Sequence, residues 1–235
     1  MRERAQLKQN FYFSGFNSKL NGMGKQERLR DLEKEIELDK NLPLYGQANL
    51  VFGEGSVDCK VMFIGEAPGF HEDQQKRPFV GRAGQLLRTM IREIGWKEEE
   101  VYITNIVKRR PPENRDPLPE EIEAYKPYLA RQIEIIDPKV IAPLGRFSMN
   151  YFLPEAKISR DQGKVFRLNG RLVVPLYHPA AALRSTGVLN ELKESFKRLP
   201  NIVEGKNLVP AGMVLVQSAA EPVKTKAKKP QAKLF

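Results

Sequence analysis

The stretch GEAPGFHED, residues 65–73, places Glu66, Glu72, Asp73 and one of the chain's two histidines within nine residues. It follows the apolar run KVMFI. A carboxylate beside a cleft can orient a water or stabilise a cationic centre. Two other polar groups stand where apolar runs end: Thr104-Asn105 after VYI, and His178-Pro179 after VVPLY. An amide offers both a donor and an acceptor, and an imidazole can donate to a developing anion. The surrounding chain is basic, with 39 Lys+Arg against 29 Asp+Glu and a net charge of +10. That excess suggests an anionic partner, most often nucleic acid. Acids would be kept off such a surface unless chemistry requires them.

The elements that position these groups alternate. Residues 24–40 carry Leu29, Leu32, Ile36 and Leu38 in a charged background, which predicts an amphipathic helix. An extended, turn-rich segment follows. Strands are predicted at 60–65, 101–107 and 138–145, and helices at 81–96, 119–136, 146–152 and 188–199. Pro119 and the acids behind it suit a helix start. Asn169-Gly170 reads as the turn of a hairpin within 164–179. This order predicts an α/β fold, a three-layer α/β/α sandwich on a central, mainly parallel four-stranded sheet. Ligands of such sheets bind outside the carboxyl ends of the strands. Glu66, Asn105 and His178 all fall at such ends.

Composition narrows the class. A chain of 235 residues suits one domain with tails. We expect a flexible arm over 1–23, a folded domain over 24–200 and a Lys-rich disordered tail over 201–235. The one cysteine, Cys59, excludes an internal disulfide or a multi-cysteine metal site, and two distant histidines make a structural zinc unexpected. The first residues lack the pattern of a secretory signal, and no apolar run reaches membrane-spanning length. The expectation is a monomer in the cytoplasm, associated with the nucleoid.

Together, GEAPGFHEDQQKRPFVGRAGQLL, TNIVKRRPPENRDP and HPAAAL resemble the motifs of the uracil-DNA glycosylase superfamily, specifically its family 4 branch. The resemblance spans roughly residues 32–199. It implies removal of uracil from DNA, with the base flipped into a pocket and an abasic site left behind. Phe79 would be the platform on which uracil stacks; from sequence alone a core phenylalanine is the alternative. Asn105 would pair with O4 and N3–H of uracil, a pattern cytosine reverses; a turn-forming asparagine is the alternative. His178 would donate to O2 of the leaving base, where a satisfied surface or core histidine is the alternative. Glu66 would stabilise the cation-like sugar and orient the attacking water. Glu72 matches a position against C5 of the base, where it would crowd out the methyl group of thymine. Asp73 reads as fixing the loop, and Ala67 is a further substrate contact. The amides of Gly81, Arg82 and Gly84 open a helix and could hold a phosphate, or the glycines could serve tight packing. Leu183 is either a wedge filling the gap left by the base or a buried helix residue, and Arg184 a DNA contact.

The chain departs from that family in one coordinated way. Members typically hold a [4Fe–4S] cluster on four cysteines. The matching positions here are Asp39, Leu42, Arg109 and Tyr125. The expectation is no cluster, with Leu42 and Tyr125 filling the space and Asp39 pairing with Arg109. Lys76 stands where the family usually has glycine. At the C-terminus, Gln231, Leu234 and Phe235 in QAKLF resemble peptides that dock on a bacterial sliding clamp; an ordinary tail is the alternative. Two other functions stay open: altered base specificity, for hypoxanthine or xanthine, and a catalytically silent DNA-binding protein.

Overall fold

The computed structural model describes residues 23–206 and the backbone of 213–215. The expected N-terminal arm, most of the Lys-rich tail and the QAKLF peptide lie outside the described residues.

The centre of the fold is a parallel sheet. Strand β2 (Val61–Gly65) pairs in parallel with β3 (Tyr102–Asn105) on one side and β4 (Val140–Pro143) on the other, and β4 pairs in parallel with β6 (Arg171–Val173). These are the four expected strands. The sheet is larger than four, however, because both sides are extended. β1 (Glu54–Gly55) runs antiparallel to β3, and β5 (Val165–Leu168) antiparallel to β6. β7 (Met213–Leu215) adds in parallel to β5, giving the order β1-β3-β2-β4-β6-β5-β7. A two-residue strand such as β1 is too short to show periodicity. The β5–β6 hairpin turns on Asn169 and Gly170, both at positive φ, as expected.

Both faces of the sheet are buried, which is why its strands read as continuous apolar runs. Met62 and Ile64 pack on one side with Leu29, Leu32 and Ile36 of α1 (Lys25–Leu38) and with Tyr125, Leu129 and Ile133 of α4 (Pro119–Ile136). Val61 and Phe63 pack on the other with Leu87, Met90 and Ile91 of α3 (Arg82–Glu93) and with Leu192, Phe196 and Leu199 of α8 (Thr186–Glu204). The rings of Phe63 and Phe196 stack with centroids 5.6 Å apart. Leu38, assigned to the apolar face of the first helix, is instead 75% exposed, because it closes α1 beyond the stripe that reaches α4. The last helix is longer than expected and runs through Pro200 to Glu204.

Among the short helices, the one over 146–152 was expected. The acidic stretch expected as loop forms α2 (Phe70–Gln75), and α7 (Pro179–Ala182) follows His178; α5 (Arg146–Phe152) and α6 (Ile158–Asp161) lie between β4 and β5. The chain leaves β2 toward β3 but leaves β4 toward β6. The crevice between β2 and β4, at their carboxyl ends, is therefore the switch point where α/β sheets bind ligands. A second cavity of about 420 Å³ opens at the opposite end of the strands, among Asp58, Lys60, Trp96 and Glu204, away from that rim.

α2 ends at Lys76, in the left-handed conformation with φ 54° and ψ 30°. Such backbone costs an L residue about 1–2 kcal/mol; glycine removes that strain but adds about 0.5–1 kcal/mol of chain-entropy cost. Lys76→Gly is therefore expected to stabilise the fold by about 0.5–1 kcal/mol, read as a higher urea midpoint. A lower midpoint would show that the lysine side chain itself holds the turn.

Candidate active site

The rim residues converge on Gly65, the last residue of β2. A β-carbon placed there would stand 2.3 Å from Oδ1 of Asn105 and 2.6 Å from Cζ of Phe79. Only a bare Cα lets the two side chains meet beside the strand. Phe79 in turn faces His178, with ring centroids 5.8 Å apart and planes tilted by 33°. Glu66 follows Gly65 directly, so four of the expected groups share one end of the sheet.

Asn105 is buried, and its Oδ1 has no hydrogen-bond partner in the protein. A buried acceptor left open is rare and costs about 1–3 kcal/mol. Beside Phe79, this oxygen can accept one N–H bond. Behind it lies a group that sequence reasoning missed. Lys108 is fully buried, and its Nζ donates to Thr104 Oγ1 (2.6 Å), the Asn105 carbonyl (2.8 Å) and Gln132 Oε1 (2.6 Å). Gln132 also donates to Tyr102 Oη and the Phe52 carbonyl. Three acceptors match the three N–H bonds of an ammonium, and no carboxylate pairs with it among the described residues. Burial without a counter-charge pushes its pKa well below that of an ordinary lysine. Its signal in the sequence was only a lysine three and four residues beyond Asn105 and Thr104.

Phe79 is buried and belongs to the core cluster on the α3 side, as the core reading of it expects. Its φ is 54°, an outlier for a bulky residue, and such strain persists only where neighbours over-determine it. Arg88 donates from Nε to the Phe79 carbonyl and from Nη2 to that of Pro78, both at 2.9 Å. Arg88 is itself held by Glu98 and Glu54. Glu72 Oε1 accepts from the amides of Val80 (2.9 Å) and Gly81 (2.8 Å). A β-carbon at Gly84 would collide with the Phe79 carbonyl at 2.0 Å. Gly84 is therefore a close-packing glycine, and the Gly81 amide is already taken by Glu72. Nothing in the sequence set Arg88 apart from the other charges of an amphipathic helix.

His178 caps α7 and accepts through Nδ1 from the Ala180 amide at 3.1 Å. The proton therefore sits on Nε2. Burial lowers its pKa to about 4, against the opposing pull of Glu72, so the ring is a neutral donor above that pH. Burial, reinforced by the Asp116 carboxylate, raises the Glu66 pKa to about 7; Arg146 opposes this. Asp116 and Arg146 pair at 2.6 Å. Asp73 holds the loop as expected, accepting from the backbone amide of Asn49 at 2.7 Å. Ala67 packs partly buried against the core. Leu183, 44% exposed, is not a buried helix residue. Arg82 and Arg184 are exposed and make no ion pair among the described residues, whereas Arg77, Arg92, Arg160 and Arg171 all do.

The four positions matched to cluster ligands form a packed corner. Tyr125 is fully buried and donates to the Pro43 carbonyl at 2.8 Å, and Leu42 is buried beside it. Arg109 donates to Glu37 Oε2 (2.9 Å) and the Ala48 carbonyl (2.8 Å), with its guanidinium over the Tyr45 ring. The expected Asp39–Arg109 pair does not form. Asp39 instead accepts from Tyr128 Oη at 2.7 Å and from the Asn41 amide, because it turns toward α4 while Arg109 reaches α1. None of these side chains supplies a thiolate, so the residues present do not fit an iron–sulfur cluster.

The uracil DNA glycosylase superfamily model matches residues 52–200. The chain is 42% identical over 186 residues to the type-4 uracil-DNA glycosylase of Sulfurisphaera tokodaii, covering 74% of this chain and 84% of that protein. It is 43% identical over 183 residues to the type-4 uracil-DNA glycosylase of Archaeoglobus fulgidus, covering 74% and 92%. Against that of Thermotoga maritima it is 41% identical over 173 residues, covering 72% and 89%.

Replacing Lys108 by the similarly shaped methionine strands three acceptors in the interior. We expect Lys108→Met to lower stability by about 2–3 kcal/mol in a urea titration. An unshifted midpoint would mean that the corner repacks and that Asn105 does not depend on it.

Proposed function

The chain belongs to the uracil-DNA glycosylase superfamily, and from that premise we propose that it is a monofunctional uracil-DNA glycosylase of base excision repair. The observation that carries the reading is the open, buried Oδ1 of Asn105 beside Phe79 and the neutral ring of His178. A uracil flipped from the strand stacks on Phe79. Its N3–H donates to Oδ1 of Asn105 and its O4 accepts from the same amide; cytosine offers the reverse and is refused. As the C1′–N1 bond breaks, the electron pair moves onto the base, and Nε2–H of His178 donates to O2. The sugar becomes cation-like. The Glu66 carboxylate stabilises it, orients the water whose oxygen bonds to C1′, and takes up the released proton. The base leaves as its anion and takes a proton from solvent, so free uracil and an abasic site result.

Lysine chemistry has no place in this scheme, since the Nζ of Lys108 is buried and held by three acceptors. Glu72, on α2 and bonded to the Val80 and Gly81 amides, would meet a methyl group at C5 of the bound base. The unpaired Arg82 and Arg184 suit phosphates, and the exposed Leu183 suits the gap left by the base. The clamp-docking reading of QAKLF rests on its sequence alone.

Uracil release from labelled single strands, beside strands bearing hypoxanthine, thymine or cytosine, tests the assignment. We expect release of uracil alone. His178→Ala and Asn105→Ala should each lower kcat/KM by about 10²–10³. A wild-type protein that binds every strand and releases nothing would make it a silent binder. Glu66 must be ionised and His178 neutral. His178 is neutral above about pH 4, so the acid limb belongs to Glu66, whose pKa is about 7. Below that pH, kcat/KM should fall about tenfold per unit, and Glu66→Gln should abolish the limb.

We further propose that the enzyme works without an iron–sulfur cluster, since the corner of Tyr125, Leu42 and Arg109 is closed by its own side chains. Anaerobically purified protein should carry no stoichiometric iron and no visible charge-transfer band. One cluster's worth of iron would overturn this.

A further inference from the structure

Phe70 is 47% exposed and opens α2, four residues after Glu66. A single exposed aromatic is ordinary, but this one is built into a pair. The guanidinium of Arg110 lies over its ring, 5.1 Å from the centroid, and the ring of His71 meets its edge at 5.5 Å. Arg110 is fixed in turn by a 2.7 Å hydrogen bond from Nε to Asn114 Oδ1. Asn114 and Glu113 both hold left-handed backbone, so the turn beneath the arginine is a defined one. Arg110 makes no ion pair among the described residues, while Arg109 next to it is bound to Glu37. The pair thus joins the loop after β2 to the loop after β3, on the same rim as Glu66 and Asn105.

We propose that Phe70 and Arg110 form a stacking subsite for an unpaired nucleobase next to the one excised. This rests on the glycosylase reading above. A half-exposed ring with a cation over one face and an imidazole at its edge still offers a π-face to any base, and the guanidinium, in no ion pair among the described residues, could reach the strand's phosphates. An apolar peptide would gain nothing from the arginine. A single strand, with its bases unpaired, gains from both. The flipped base enters the pocket from a strand that must pass this rim, so the subsite holds a neighbour and fixes the register.

The test is a cycle between protein and DNA, read by fluorescence anisotropy of the full chain on single strands carrying one uracil. Phe70→Ala should raise Kd about five- to twentyfold, while Phe70→Trp keeps wild-type affinity and Phe70→Leu does not. Replacing the base on one side of the uracil, 5′ or 3′, by an abasic analogue should cost the wild type a similar factor. On that strand Phe70→Ala should cost nothing more. The proposal is overturned if Phe70→Ala binds as well as wild type. It is equally overturned if its penalty is the same on both abasic-neighbour strands. Because the cycle reads binding, a protein that releases no uracil would sink the glycosylase reading and still decide this one.

Discussion

The site depends on one buried lysine nitrogen. Nζ of Lys108 ties the side chain of Thr104, the main chain of Asn105 and the side chain of Gln132 on α4 into one knot beneath the end of β3. Burying a lysine nitrogen with no carboxylate beside it is costly, and the three acceptors around it offset that cost. That bonding fixes strand, loop and helix relative to one another. Asn105 can then leave its own Oδ1 open without its side chain turning to find a partner. The open acceptor and the saturated lysine are two sides of one arrangement: polar demand is met fully in one layer so that it can stay unmet in the next.

The same logic holds on the other wall. Phe79 sits in backbone that its side chain disfavours, and Arg88, Glu72 and the bare Cα of Gly84 leave it no alternative. Strain placed there is resisted by groups that touch no substrate. Both walls are therefore rigid before anything binds, so less ordering remains to oppose binding of a planar base.

The sheet and its long helices were legible because burial on both faces leaves continuous apolar runs, and α4 carries its start in Pro119 and Glu121. The groups at strand ends were legible through motif and position. Asn105, Phe79 and His178 do meet, as the resemblance implied. Lys108 and Arg88 were not legible, because a buried charge has no local pattern: only the fold brings its acceptors to it. α2 was missed because a six-residue helix of polar residues has no periodicity to show. The Asp39–Arg109 pairing failed for a related reason. Complementary charge names possible partners, and the direction in which each helix points selects Glu37 and Tyr128 instead.

The corner where α1 meets α4 also sets an order of events during synthesis. Arg131 grips Glu35 across 96 residues of sequence, and Tyr128, Tyr125 and Arg109 reach back over comparable spans. At ordinary elongation rates α1 leaves the ribosome roughly 5–20 s before its partner helix exists. Its apolar stripe of Leu29, Leu32 and Ile36 lacks the α4 side of its packing in that interval. The first helix among the described residues is thus among the later ones to be fully secured, and the nascent chain carries a half-covered greasy stripe while those 96 residues are added.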